Sequence, residues 1–396
     1  MKHRIVVLGA GYAGGIAAGR LAKRLHRDDV EIILVNADSE FVERIRMHQL
    51  ASGQELPQRP LAEIYAGTGV QVRVARVVSV DADGKTVDLI DENGSETLGY
   101  DTLVYALGSA VSDFGVPGVA EYAHNVGGKQ AALRLRARLS ELAAGATVLV
   151  VGGGLTAIEA ATEIAEARTD LHVAMAARGG VGDWLGDKAQ QHLHAAFERF
   201  GITVHERADV TRVDANGVET AAGERITAQV TVWTAGFEVH PIAAASTLAV
   251  SGTGRIVVDG TLRSISHPDV YALGDAAFVE GVGGKPLRMA CATATPMAWQ
   301  GADALAARLT GHKVATAPIG YNAQCISLGR HDGIYQLVTR DDQPKSTALT
   351  GRTGARIKEF ICAGTAWSLA HPTMMLPSRR RHLVATGKQA PSPAVN

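Results

Sequence analysis

The sequence predicts an α/β fold, with two Rossmann-like units and a smaller C-terminal α+β domain, on three observations. β-branched apolar runs alternate with alanine-rich helical stretches along most of the chain. Twice, at Gly9 and at Gly152, an apolar run ends on a glycine-rich turn that opens directly into a helical pattern. From Pro318 onward the texture changes to short strand-like pieces such as Cys325-Ile326-Ser327-Leu328 and Ile334-Tyr335-Gln336-Leu337-Val338.

In chain order, residues 4–8 read as strand, 14–26 as helix and 30–35 as strand. A variable segment through Arg44, Arg46 and His48 follows. Short strands around 70–80 and 85–91, punctuated by Asp83-Gly84 and Asn93-Gly94, read as a hairpin excursion. A strand at 102–106 ends in Leu107-Gly108-Ser109, and a connector with Pro117-Gly118 leads to a helix at 128–143. The strand at 146–151 then opens a second unit resembling the first, a duplicated motif. Further strands are expected near 202–205, 210–213 and 230–234, and an alanine-rich helix over roughly 290–309. The end, Gln389 to Asn396, reads as a disordered tail.

Gly9-Ala10-Gly11-Tyr12-Ala13-Gly14 stands directly after a strand and directly before a helix, the context a dinucleotide fingerprint requires. Gly9 permits the tight turn, Gly11 lets the backbone approach a pyrophosphate, and Gly14 lets helix and strand pack closely. The helix N-terminus then stabilises the anion. An acid is expected at the end of the next strand for the ribose hydroxyls. Asn36 stands there and can still hydrogen-bond a ribose, with a plain turn residue as the alternative.

The second fingerprint is Gly152-Gly153-Gly154-Leu155-Thr156-Ala157-Ile158-Glu159, with Ala157 in the third glycine position. Gly152, Gly154, Thr156 and Ala157 are its candidate contacts. The strand after its helix ends at Ala177-Arg178, without the acid that would bind a 2′-hydroxyl. Arg178 is suited to a 2′-phosphate, so NADPH is slightly favoured; a solvent-facing loop arginine is the bland alternative. Two fingerprints imply two dinucleotides, and two exchangeable nicotinamides would have no redox chemistry to perform together. One must be a tightly held flavin.

Two more motifs complete the set: Val104-Tyr105-Ala106-Leu107-Gly108-Ser109 and Val270-Tyr271-Ala272-Leu273-Gly274-Asp275. Together with the fingerprints they resemble the FAD-dependent pyridine nucleotide reductases, the two-dinucleotide-domain flavoproteins, over residues 4–340. Val232-Trp233-Thr234-Ala235-Gly236 and the stretch from Gly152 to Glu159 look most like type II NADH dehydrogenases. The resemblance implies a FAD domain split over residues 1–115 and 237–317, a NAD(P) domain inserted at 116–236, and a C-terminal domain at 318–388. It places Asp275 on the ribityl chain of FAD, and a helix N-terminus near Thr293 to Met297 facing the flavin pyrimidine. Arg44, Ala106, Gly108, Gly236, Gly274 and Met297 join Asp275 as candidate cofactor contacts. It puts Glu159 near the nicotinamide and flavin. There a carboxylate relays a proton or orients the nicotinamide amide, unless it only stabilises the helix N-terminus.

The departures matter as much. No CxxxxC pair follows the first unit, and no cysteine precedes Cys291, so the expected cycle runs without a redox disulfide. Where type II dehydrogenases carry an AQ…Q pattern beside the quinone, this chain has Ala294-Thr295-Pro296-Met297-Ala298-Trp299-Gln300. Gln300 fits, and Thr295 replaces the first glutamine. The C-terminal region shows no convincing amphipathic membrane helix, because Pro377 and an arginine run interrupt it. The acceptor is therefore read as a quinone or a small metabolite. A biosynthetic flavoenzyme and a non-catalytic redox sensor stay as alternatives.

Composition removes other classes. The net charge of −1, from 39 basic and 40 acidic residues, gives no basic excess for nucleic acid. No apolar run reaches the ~20 residues of a membrane helix. Met1-Lys2-His3-Arg4 with Ile5 to Leu8 mimics a signal peptide, but runs into Gly9 without a cleavage site. Cys291, Cys325 and Cys362 have no metal-ligand spacing and read as small buried apolar residues in a reducing cytoplasm. Arg379-Arg380-Arg381-His382 reads as a solvated tail. A cytoplasmic protein, peripheral to a membrane at most and able to form a homodimer, is expected.

Overall fold

The computed structural model describes residues 1–384, so the tail expected at 389–396 lies outside the described residues. Two parallel five-stranded sheets form its frame. The first runs Val270–Ala272, Thr102–Tyr105, His3–Leu8, Val30–Asn36, Val70–Val74. The second runs Thr203–Glu206, His172–Ala177, Thr147–Val151, Val230–Trp233, Ala123–His124. In each, the central strand is the one that enters a glycine fingerprint. Ile5 to Leu8 and Val148 to Val150 are all 0% exposed, which is why both strands read as unbroken apolar runs.

The second unit is inserted into the first. The chain leaves along Ser109–Val111 and returns along Phe237–Val239, and these two segments pair antiparallel, side by side. Each unit also carries a three-stranded antiparallel meander: Arg76–Asp81, Thr86–Asp91 and Gly94–Gly99 in the first, Val210–Asp214, Gly217–Thr220 and Arg225–Thr227 in the second. The stretch expected as strand over 70–80 breaks at buried Ala75, whose amide donates to the Asn36 carbonyl. Val70–Val74 joins the parallel sheet, while Arg76–Asp81 begins the meander.

The C-terminal part is a three-stranded antiparallel sheet, Ala323–Ser327, Gly333–Val338 and Pro344–Thr350, packed on the helix Arg352–Ala370. No side chain fits at Gly354, where the helix backbone lies against the Gly333 carbonyl. The helix also packs on the first fingerprint helix, Tyr12–Arg24, with Leu369 against Gly15. The arginine cluster is not a solvated tail. Arg381 exchanges backbone hydrogen bonds with Arg24 and His26, the Arg380 guanidinium donates to Ala22 O, and His382 Nδ1 lies 2.9 Å from the Asp29 carboxylate. The main chain, satisfied along the end of the first helix, holds it there.

Candidate active site

The first fingerprint is shaped by what cannot stand in it. Gly9 has φ +91°, and a Cβ there would strike the Ala106 carbonyl; one at Gly14 would strike Gly9 itself. At Gly11, by contrast, a Cβ would meet nothing within 4 Å. Gly11 is also the N-cap of Tyr12–Arg24 and gives that helix no side-chain cap. The Tyr12, Ala13 and Gly14 amides have no intrahelical acceptor and no side-chain cap, and the space beside Gly11 is open, an anion cradle that a side chain at Gly11 would fill. Asn36 stabilises the cradle from the neighbouring strand: its Oδ1 accepts from Ala10 N at 2.9 Å and its Nδ2 donates to Asp38 O at 2.8 Å.

Across the strand ends, residues remote in sequence converge. Ser109 Oγ donates to Asp275 Oδ2 at 2.6 Å, and Arg44 Nη1 donates to Ser109 O at 2.9 Å while lying 3.9 Å from Asp275 Oδ2. The Arg44 guanidinium stands 5.4 Å over the Phe237 ring, and Gly274 packs against Ala13. Gly108 sits beside Arg44, and Gly236 packs on Phe114. A second uncapped helix end is nearby. The helix Cys291–Leu309 has Ala290 as its N-cap, which matches the helix expected over roughly 290–309 and puts its N-terminus just before Thr293 to Met297. Met297 is consequently two turns inside it, 1% exposed and locked in the core, so it is not a cofactor contact through its side chain. Gln300 does not face this site either, since its Nε2 donates to Gly260 O at 2.9 Å. The open cradle, the uncapped helix ends and the Asp275 carboxylate suit the pyrophosphate and polyol of FAD.

The second fingerprint repeats the geometry. A Cβ on Gly152, at φ +142°, would lie 2.7 Å from Thr234 Oγ1, whereas Gly154 opens on empty space and caps the helix Leu155–Ala167 without a side chain. Ala157 is 0% exposed, so its methyl group packs where Gly14 had no room. Thr156 is half-buried in the first turn. Arg178 is exposed and has no hydrogen bond or ion pair among the described residues. Glu206 holds the loop beside it by accepting from Val181 N at 3.0 Å.

Between the units and the C-terminal sheet lies a buried polar network that sequence reasoning only half found. Glu159, 6% exposed, accepts from Lys358 Nζ at 2.9 Å, from Ser327 N at 3.1 Å and from Ser327 Oγ at 3.3 Å. Lys358 Nζ also donates to Cys325 O, and His48 approaches from the other side, Nδ1 3.8 Å from Glu159 and Nε2 3.3 Å from Ser327 Oγ. Burial is the largest influence on the Glu159 carboxyl and pushes it up, but the Lys358 charge and the hydrogen bonds from Lys358 and Ser327 act together to hold the group below its ordinary range. Burial pulls Lys358 down, and the charge and hydrogen bond of Glu159 act together to bring it above its ordinary range, so the pair stays ionised. Burial brings His48 down to about 4, leaving it neutral at physiological pH. One turn beyond Glu159, Glu163 is pushed up to about 7 by burial, with Arg330 opposing, and accepts from the Gln54 carboxamide. Lys358 went unnoticed, yet a signal existed. Gly354, Cys362, Ala366 and Leu369 form the buried stripe of their helix, and Lys358 falls in that stripe at helical spacing.

All three cysteines are free, and burial raises each thiol, Cys325 to about 12 and Cys362 to about 11. None is a thiolate at neutral pH.

The sequence profile of the pyridine nucleotide-disulphide oxidoreductase family matches residues 3–304. An NADH dehydrogenase-like protein of Mycobacterium tuberculosis is 32% identical over 298 residues, covering 69% of this chain and 72% of that protein. A type II NADH:quinone oxidoreductase of the same organism is 31% identical over 327 residues, covering 72% and 68%. Among solved structures, NDH2 of Plasmodium falciparum in complex with NADH superposes with a TM-score of 0.79 over 95% of this chain and 97% of that one. At 15% identity that likeness is one of fold. The chain belongs to the pyridine nucleotide-disulphide oxidoreductase family and is an FAD-dependent NAD(P)H oxidoreductase.

Proposed function

We propose that the chain is a NAD(P)H:quinone oxidoreductase that works at a membrane surface and accepts NADPH at least as readily as NADH. The observation that carries it is the buried Glu159–Lys358 pair set between the second fingerprint and the C-terminal domain. Reducing a quinone to a hydroquinone takes two electrons and two protons, and a hydride brings only one proton. NAD(P)H, one further proton and quinone give NAD(P)+ and hydroquinone, so a proton must be held where water is excluded.

FAD, when bound, supplies the hydride-accepting and electron-passing chemistry. The chain's residues do the rest. The Gly11, Tyr12, Ala13 and Gly14 backbone holds its pyrophosphate, and Asn36 fixes that loop and reaches toward a ribose. Asp275, set by Ser109 and Arg44, takes the polyol, with Ala106, Gly108, Gly236 and Gly274 as further contacts around it. Gly152, Gly154, Thr156 and Ala157 hold the nicotinamide coenzyme, whose 2′-phosphate Arg178 is free to meet. Lys358 Nζ holds the proton, Glu159 keeps it there, and Glu163, poised at about 7, exchanges protons in the neutral range.

A membrane-surface location draws on exposed Phe360 and Trp367, on Met374, Met375 and Leu376, and on the neighbouring arginines. No described helix is long and apolar enough to cross a membrane. The test is anaerobic: mix the flavin-loaded protein with NADPH or NADH, then with menadione. Bleaching of the flavin followed by its return, with one hydroquinone per coenzyme, is expected. A flavin that neither coenzyme bleaches would remove the proposal.

A further inference from the structure

A cleft of about 440 Å3 opens between the hairpin tip at 329–331 and the first two turns of the helix Arg352–Ala370. Arg330, His331, Arg352 and Arg356 line its walls, and Lys358 and Ser327, both partners of Glu159, belong to its lining. The acid in the lining, Glu359, is already engaged. Its two oxygens accept from Arg46 at 2.6 and 2.9 Å, and Arg330 lies 3.8 Å away. Arg352 and Arg356 are exposed, one turn apart, and form no ion pair or hydrogen bond through their side chains among the described residues.

That arrangement is unfavourable for the chain alone. The start of a helix carries partial positive charge, so cations there are disfavoured, and this helix has no acid in its first turn to offset them. Two guanidinium groups without an acidic partner, beside a cavity of ligand size, leave donors that a bound anion would engage. Their planar forks match the oxygens of an acid group.

We propose that this cleft binds the acid group of the oxidising substrate, a sulfonate, phosphate or carboxylate held by Arg352 and Arg356, so that the enzyme prefers anionic to neutral acceptors. The proposal rests on the quinone-reductase reading and names its substrate class.

The test uses the flavin-loaded full chain, a naphthoquinone sulfonate, the parent naphthoquinone, and the variant R352Q/R356Q. Calorimetric titration of the oxidised protein reads binding without turnover. The variant is expected to weaken sulfonate binding and to raise its KM by about tenfold or more, as loss of charge-assisted contacts implies. The KM for the uncharged quinone and the rate of flavin reduction should stay within twofold of the wild type. Unchanged sulfonate binding, or equal losses for both quinones, would overturn the proposal. Flotation with phosphatidylglycerol vesicles separates the two sources of such an acid group. A variant that loses vesicle binding but keeps its sulfonate kinetics assigns the cleft to a lipid headgroup and overturns the acceptor assignment. Failure of NAD(P)H to reduce the flavin would instead strike the parent reading and leave the calorimetric result standing.

Discussion

The two glycine fingerprints are built alike and finished differently. At the first, Asn36 reaches from the next strand to the Ala10 amide and to Asp38 O, so loop, strand and following turn are tied into one unit. Asp275, Ser109 and Arg44 then bring in three further segments. At the second, the strand ends in Ala177 and a free Arg178, and the third glycine position carries a methyl group. The first cradle is preorganised from several directions, which favours a resident group; the second is left adjustable at its outer end, which favours a coenzyme that must leave every turnover.

The largest effects should come from filling the cradles. Gly11→Val and Gly154→Val place methyl groups in space that no protein atom occupies within 4 Å of the Cβ, so both variants should fold. Gly11→Val is expected to purify colourless with a native circular dichroism spectrum. Gly154→Val should be yellow, yet lose at least a hundredfold in kcat/KM for both coenzymes, about 2.7 kcal/mol or more. A yellow Gly11→Val, or a colourless Gly154→Val, would reverse which cradle holds the resident group.

The buried network beside the second cradle comes next. Lys358→Met leaves the buried Glu159 carboxylate without its cation and should cost about 3–5 kcal/mol in denaturant unfolding. Adding Glu159→Gln should recover most of that loss without restoring quinone reduction. If the single substitution is neutral, the pair is not ionised and the proton role of Lys358 falls with it.

Glu163 makes a pH-dependent prediction. Its carboxyl ionises near its ordinary 4.5 in the unfolded chain and at about 7 in the folded one, so the native state binds more protons between those values. Stability from this group is full below the lower value and falls as pH rises to the upper one, by about 3 kcal/mol. Glu163→Gln should remove that fall, so its gain in stability over wild type is larger at pH 8 than at pH 5. An equal gain at both would show an ordinary carboxylate.

Much of this was legible beforehand because it lies in local sequence. A fingerprint joins strand, turn and helix within a dozen residues, so the tight turns at Gly9 and Gly152 and the open positions at Gly11 and Gly154 could be read. What convergence builds could not. The Asp275–Ser109–Arg44 contact and the Glu159–Lys358 pair join residues far apart in the chain, and only folding brings them together. Met297 was placed at the expected helix N-terminus near Thr293 to Met297, but the helix starts at Cys291, and that far inside it the side chain packs in the core. The helix Arg352–Ala370 was hidden because its buried stripe holds Gly354, Lys358 and Cys362, a weak apolar signal. The Arg379-to-His382 cluster misled because charge alone does not say whether the backbone is paired.

Coenzyme choice sharpens the contrast at the open end of the second cradle. Arg178 should favour NADPH through a charge-assisted contact of ~1.5–3 kcal/mol, tenfold to a hundredfold in kcat/KM, reduced somewhat by solvent screening. Arg178→Ala should bring the two coenzymes level. Equal use by the wild type, or a preference that survives the substitution, would show that this arginine does not read the phosphate.

The smallest effect expected is that of removing every thiol. If either cradle served a dithiol, the cysteines would carry electrons and their loss would stop turnover. Their chemistry argues otherwise: all three are free, burial raises each thiol, and Cys362 is 2% exposed in a packed stripe. A protonated thiol in such surroundings acts as a small apolar side chain, and replacing it loses modest packing. Cys291 is the demanding case, because it opens the helix whose N-terminus stands beside the first cradle. The triple variant Cys291→Ala, Cys325→Ala, Cys362→Ala should therefore melt a few degrees lower, yet reduce its flavin within about an order of magnitude of the wild-type rate. Stopped-flow reduction by NADPH measures this directly, and restoring Cys291 alone isolates its share. A folded, flavin-loaded triple variant that cannot be reduced would place a thiol in the electron path. The two cradles would then need a third redox group between them.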